Sequence, residues 1–377
     1  MADTMKVVCD RAHLLDALTT AASVVAPRNT SPALACVKLT AKDGLLQIRS
    51  TDSEVAVSVC VPQVEVQKDG ETLVPAEKLL QIVRASEDTT LTMELQGQAL
   101  VLRGEDARYR IFGQDPKDFP RVPELPPSKT DFETTAESMR RLVARTLFAT
   151  AMDTSRYAFN AVLIDRNGKQ LRVVATDGRR LAVARGECSK GEGEFRAIVP
   201  TKTMNILNRL MGDPAAAVSV AREETRIQFR IGTGPDAAVL VSQLVEGTFP
   251  PFEDVIPKDH DKRISFDRDA LGSAVRRAAL LTNEESKGVR MSFGPETLVL
   301  RSRAPELGEA EITIPMEKYQ GEPIEIGFNP SYLTDALKVV DPGEVLIELK
   351  APNKPGVLRA GKEFTYVVMP VNLDPVG

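Results

Sequence analysis

Three stretches of this 377-residue chain decide its fold: Thr72-Leu73-Val74-Pro75-Ala76-Glu77-Lys78-Leu79-Leu80-Gln81-Ile82-Val83, Ala197-Ile198-Val199-Pro200-Thr201-Lys202-Thr203-Met204-Asn205-Ile206-Leu207, and Ile326-Gly327-Phe328-Asn329-Pro330-Ser331-Tyr332-Leu333-Thr334-Asp335-Ala336-Leu337. Each reads as a strand, a proline, then an amphipathic helix. The proline falls where a helix starts and no N–H donor is needed, and apolar residues then recur at three- and four-residue spacing. The prolines lie 125 and 130 residues apart.

Working outward, a second helix leads each third, at His13–Leu18, Ser138–Val143 and Ala270–Val275. Short β-rich runs such as Leu45–Arg49, Leu171–Ala175 and Thr297–Arg301 separate the helices, bounded by Gly, Asp and Pro. Phe119-Pro120 and Phe249-Pro250 close the first two thirds 130 residues apart, each followed by a proline-rich crossing. Linkers are expected at Pro123–Thr130 and Val255–Lys262. Agreement of several landmarks at one period predicts a repeat of α+β units, each with two helices and many short strands. The expected domains are 1–125, 130–254 and 260–377.

Composition agrees. Apolar residues make up 42% and charged residues 27%, the balance of a soluble globular protein. No run approaches the roughly 18 apolar residues of a membrane span, and Met1-Ala2-Asp3-Thr4-Met5 shows neither a basic nor an apolar leader segment, so a cytoplasmic protein without membrane contact is expected. Cys9, Cys36, Cys60 and Cys188 form no C-x-x-C pair, and the two histidines are His13 and His260. Free thiols, with no zinc site and no cofactor, are the expectation.

The net charge of −5 speaks against nucleic acid until its distribution is read. The windows 136–149, 200–211 and 268–281 carry +2 each. All six predicted helices together carry +6 against the chain total of −5, so the remainder carries −11. Arg140, Arg141, Arg145, Lys202, Arg209, Arg276 and Arg277 supply most of the helical excess. Because screening is effective beyond about 8 Å at physiological salt, a basic surface can hold phosphates while acidic surfaces elsewhere repel them.

Several segments resemble the bacterial DNA sliding clamp family, the beta subunit of DNA polymerase III. Ala175-Thr176-Asp177-Gly178-Arg179-Arg180-Leu181-Ala182 is similar to its A-T-D-G-x-R-L-A signature, Ser155–Asn160 to its R-Y-x-L-N segment, and Leu244–Pro250 to its L-x-x-G-x-F-P. Asn283-Glu284, Gly288-Val289-Arg290, Ile326–Asn329 and Tyr366-Val367-Val368-Met369-Pro370-Val371 match in the last third. The resemblance runs in order from the first helix to the last strand.

It implies three domains of the DNA clamp fold, each with two helices packed on antiparallel sheets, closing as a head-to-tail homodimeric ring. The implied function is non-catalytic: a processivity factor that encircles duplex DNA without regard to sequence. It would tether the polymerase III alpha subunit, the clamp loader and repair polymerases through short peptides. Carried over residue by residue, the peptide pocket comprises Phe159, Thr176, Gly178, Arg180, Leu181, Pro250, Val255, Asn329, Tyr332, Val367, Val368, Met369 and Pro370, with Asn329 and Arg180 as hydrogen-bonding groups. Arg28, Arg156 and Tyr157 join the helical cations as DNA contacts. Arg108, Tyr109, Ile111, Leu280, Leu281 and Glu306 are the expected dimer seam. Ser286, Asp254, Arg179 and the tail Asp374-Pro375-Val376-Gly377 depart from the family pattern. Against an enzyme, the chain holds no G-x-S-x-G, Walker A, G-x-G-x-x-G or H-E-x-x-H motif; Asp177-Gly178 reads as a turn. A secreted adhesion module would call for a signal segment or paired cysteines.

Overall fold

The structure, a computed structural model, describes residues 5–25, 31–122, 124–126, 128–151, 159–191, 193–282, 288–316 and 319–372. Arg28, Arg156, Tyr157, Ser286 and the last four residues lie outside them.

The first third runs β1 Lys6–Asp10, α1 Arg11–Ala22, β2 Cys36–Lys42, β3 Leu45–Thr51, β4 Val55–Val61, β5 Val64–Lys68, β6 Gly70–Pro75, α2 Ala76–Ala85, β7 Thr90–Gln96, β8 Ala99–Arg103 and β9 Arg108–Phe112. The second runs β10 Phe132–Thr135, α3 Ala136–Ala144, β11 Ala161–Asn167, β12 Gln170–Thr176, β13 Arg180–Glu187, β14 Glu194–Pro200, α4 Thr201–Leu210, β15 Ala217–Glu223, β16 Arg226–Ile231 and β17 Ala238–Gln243. After a short connecting helix, α5 Phe252–Val255, the third runs β18 Lys262–Asp267, α6 Arg268–Ala278, β19 Val289–Phe293, β20 Thr297–Ala304, β21 Gly308–Pro315, β22 Tyr319–Gln320, β23 Ile324–Phe328, α7 Pro330–Lys338, β24 Glu344–Leu349, β25 Gly356–Ala360 and β26 Phe364–Val368.

Helices α1, α6 and α7 start where short polar side chains cap them. Asp10 accepts from the His13 amide (3.0 Å), Asp267 from Asp269 and Ala270 (2.9 Å each), and Asn329 from Ser331 (2.9 Å). The prolines behave less uniformly than their spacing predicts. Pro330 occupies the first turn of α7, but Pro75 and Pro200 are the last residues of β6 and β14. In both places the missing N–H costs nothing, since neither a strand end nor a helix start needs it.

Strand order repeats with the sequence. Each third builds one four-stranded set, β6-β2-β3-β4, β14-β11-β12-β13 and β23-β19-β20-β21, and a second set, β1-β7-β8-β9, β10-β15-β16-β17 and β18-β24-β25-β26. β5 and β22 add a strand beside β1 and β18. Sets from different thirds then merge: β4 pairs with β17 to make an eight-stranded sheet, and β13 with β26 to make a nine-stranded sheet. β9 and β21 are left as edges.

Contacts divide the chain into two compact units, residues 1–140, 188–192 and 202–244, and residues 141–187, 193–201 and 245–377. The second third is therefore shared between them, because its two strand sets join different neighbours. No helix among the described residues is long and apolar enough to cross a membrane. The four cysteines form no disulfide. Burial pushes the Cys9 thiol up to about 12 and Cys36 to about 11, which leaves almost no reactive thiolate at pH 8. Iodoacetamide at that pH should leave both unmodified in the folded protein and alkylate both in urea, read by peptide mass spectrometry.

Candidate peptide-docking site, basic helices and open edges

The signature stretch forms a hydrogen-bonded turn between β12 and β13. The Thr176 hydroxyl donates to the Arg180 carbonyl (2.7 Å) and accepts from the Gly178 amide (3.1 Å). Asp177 Oδ1 accepts from the Arg179 and Arg180 amides at 2.9 and 3.0 Å. Gly178, at φ +86°, supplies the left-handed residue the turn requires.

β13 then pairs with β26, placing Arg180 opposite Val368 and Leu181 opposite Val367. The Met369 amide donates to the Arg179 carbonyl at 2.9 Å and carries the ladder one residue further. Opposed residues share a face and successive ones alternate, so the two faces differ. On one, Leu181 and Val367 join Val174, Val357, Phe249 and Phe252 in an apolar cluster, with Val245 and Ile256 packed against it. Val255 (47% exposed) and Met369 (41% exposed) stand free as large apolar groups, and half-buried Pro250 follows Phe249. Thr176, opposed to Leu181, belongs to this face. These residues make a buried apolar floor with exposed apolar groups nearby, the form of a docking site for an apolar side chain.

On the other face lie Arg180, Val368 and Tyr366, against α7. Val368 is 2% exposed and lines an internal hollow with Phe328, Leu333 and Leu337, so strand alternation makes it a core residue turned away from Leu181. Arg180 does not act as the free donor expected. Its Nε donates to Asp177 (3.0 Å), Nη1 to Asp335 (3.0 Å) and Nη2 to the Phe148 carbonyl (2.7 Å), and its guanidinium lies 4.5 Å from the Tyr332 ring centroid. Burial opposes its charge, but the bond to Asp335 and the nearby Asp177 carboxylate more than offset this and hold its pKa above the usual value. Arg180 braces the site from behind. The Tyr366 hydroxyl donates to the Tyr332 carbonyl at 2.9 Å, and Asn329 Oδ1 is engaged in capping α7. Phe159 is half-buried and its carbonyl accepts from the Ala151 amide; Pro370 is half-buried beyond Met369. The brace was not legible beforehand, because its partners Asp335 and Phe148 are remote in sequence.

Of the helical cations, Arg140, Arg209, Arg276 and Arg277 are exposed and have no carboxylate partner among the described residues. Arg145 corrects the expectation: it is 4% exposed and bridges Asp341 and Glu363 at 3.0 Å each, so it is an internal cation out of reach of phosphate. Arg141 is exposed but paired with Asp341. Lys202 pairs with Asp52 and donates to the Val24 carbonyl at 2.9 Å.

The seam residues separate in the same way. Arg108, Tyr109 (38%), Leu280 (75%) and Glu306 are exposed, and Leu281 is half-buried. Ile111 is only 8% exposed, since it sits opposite buried Leu100 and packs inward. Two further large, exposed apolar residues were missed: Phe112 (76%), with the Arg110 guanidinium 5.7 Å from its ring, and Leu307 (64%). Both lie on or beside an edge strand, where a lone large apolar side chain is the signal.

A unit of two helices and two strand sets, repeated three times with β9 and β21 open at the two ends of the series, defines a modular repeat protein. Sequence profiles of the DNA polymerase III beta subunit match in series: its N-terminal domain over residues 5–123, its central domain over 133–251 and its C-terminal domain over 253–372. The beta sliding clamp of Pseudomonas putida is 36% identical, with 98% of this chain and all of that protein aligned; that of Escherichia coli K12 is 32% identical over the same shares. The solved DNA polymerase III beta subunit of Pseudomonas aeruginosa bound to griselimycin superposes with a TM-score of 0.89 at 34% identity, covering 98% of this chain and 100% of that one. The chain belongs to the bacterial beta sliding clamp family. It is a processivity factor of the replicative polymerase, and its role is non-catalytic.

Proposed function

We propose that two copies of this chain close head to tail around duplex DNA in the cytoplasm, with three domains each at 1–125, 130–254 and 260–377. The observation that carries this reading is edge bookkeeping. Within the chain, the outer strand of a first-type set pairs with the outer strand of the next third's second-type set, twice. One strand of each kind remains, β21 in the last third and β9 in the first. Repeating the rule between copies joins β21 of one protomer to β9 of another. Transferring the two internal registers sets Gly308 opposite Phe112 and Glu309 opposite Ile111. In this register Arg110 and Arg108 of β9 stand opposite Ala310 and Ile312, and Glu309 and Glu311 stay with Arg303 and Arg301 of β20, so the join rests on the backbone ladder and not on charge. Such heterologous contacts end in a ring when the rotation closes. Phe112→Asp together with Leu307→Asp should give monomers by sedimentation at a concentration where the parent is dimeric.

Exposed Arg140, Arg209, Arg276 and Arg277 on the helices would hold phosphates weakly and without sequence preference, leaving closure to prevent escape. Polymerase, loader and repair partners would dock by short peptides at the Leu181, Val367 and Met369 face, which raises their effective concentration at the template. The Pseudomonas aeruginosa relative was solved with griselimycin bound.

The test is topological. Loaded onto nicked circular DNA, the protein should stay associated through gel filtration in high salt. Cutting the circle once should release nearly all of it. Equal retention on both forms would remove encirclement as the binding mode.

A further inference from the structure

The β4–β17 junction repeats the docking site in atomic detail. Thr51 Oγ1 donates to the Val55 carbonyl (2.9 Å) and accepts from the Ser53 amide (3.0 Å), as Thr176 does with Arg180 and Gly178. Asp52 Oδ1 accepts from the Glu54 and Val55 amides (3.0 and 2.7 Å), as Asp177 does from Arg179 and Arg180. Ser53 has φ +81°, against +86° for Gly178. A residue other than glycine holding this conformation shows how strongly the turn is imposed. The Gln243 amide donates to the Glu54 carbonyl at 2.8 Å, as Met369 does to Arg179. Ala56 lies opposite Val241 where Leu181 lies opposite Val367. Phe119-Pro120 stands six residues past Gly113 as Phe249-Pro250 stands six past Gln243.

The equivalent cleft is open, about 130 Å³, and its lining includes Ala56, Val241, Pro120, Arg121, Arg226 and Gln243, with Glu54 as its one carboxylate. The frame is kept while the chemistry changes. Leu181 becomes Ala56, which makes room, and Met369 becomes Gln243, whose side-chain amide donates back to the Ser53 carbonyl at 3.3 Å. Neither Arg121 nor Arg226 has a carboxylate partner among the described residues, whereas Arg180 and Arg172 beside the first site are paired with Asp177, Asp335 and Glu253. On a chain of net charge −5, two unpaired guanidiniums beside a small apolar floor favour a carboxylate ligand.

We propose that this cleft is a second peptide-docking site, selective for an extended acidic segment with small apolar residues. It rests on the docking role read for the first site, and the two fail separately. The probe is a fluorescein-labelled synthetic octapeptide alternating aspartate with valine and alanine, read by anisotropy at low salt on the intact protein. Arg121→Glu with Arg226→Glu should weaken binding at least tenfold while loading onto circular DNA stays normal. Leu181→Ala with Met369→Ala should leave it unchanged, and an asparagine version of the probe should bind at least tenfold more weakly. Unchanged affinity in the arginine variant, loss in the Leu181/Met369 variant, equal binding of the asparagine probe, or no binding at all would each overturn the proposal. Loss of family-type docking peptides in the Leu181/Met369 variant, scored in parallel, reports on the first site alone.

Discussion

Arg180→Ala should be among the most destabilising single substitutions in this chain, at about 3 kcal/mol, the lower end for removing one partner from a buried ion pair. The lower end applies because Asp335 is a third exposed and solvent screens part of the interaction. The change strands Asp177 (15% side-chain exposure), frees the Phe148 carbonyl and removes a cation from between the rings of Phe148 and Tyr332. A melting temperature lower by roughly 10 °C is the expected reading. Arg180→Lys should recover under half of the loss, since an ammonium cannot reach three partners at fixed angles. A shift below 2 °C for the alanine variant would show that the brace is dispensable.

The second large effect concerns docking. Leu181→Ala with Met369→Ala removes one wall of the floor and one exposed group close to it. Full burial of a methionine side chain contributes about 1.5–3 kcal/mol; Met369 starts 41% exposed, so a peptide gains about 1 kcal/mol there, and Leu181, already 3% exposed, loses about 1 kcal/mol of packing against the seated side chain when truncated. A combined loss of about 2 kcal/mol corresponds to roughly 30-fold in affinity for a partner peptide. Titration calorimetry gives the affinity, and sedimentation of the same sample should show an unchanged dimer. Retained affinity would place the docking site elsewhere.

The sequence made the repeat legible because helix starts, turn residues and the Phe-Pro pairs are local signals, each set by a few adjacent residues. It also delivered the turn at Thr176–Leu181, whose hydrogen bonds are internal to six residues. Which strands merge was not legible. β4 meets β17 and β13 meets β26 across long separations, and no short-range periodicity encodes such pairings. The misreadings follow from that gap. Arg145 looks like any helical cation until Asp341 and Glu363 are brought to it. Val368 looks like its neighbour Val367 until a sheet gives the strand two sides.

The late arrival of merging partners has a cost during synthesis. β4 leaves the ribosome as Val-Ala-Val-Ser-Val-Cys-Val, seven residues without charge, proline or glycine. Its partner β17 begins at Ala238, nearly 180 residues later. At roughly 5–20 residues per second, that strand waits on the order of 10–40 s with its edge bare. A segment of this composition is prone to pair with copies of itself on neighbouring nascent chains. Crowded translation of one message, rather than the finished protein, is where this fold is most exposed to aggregation.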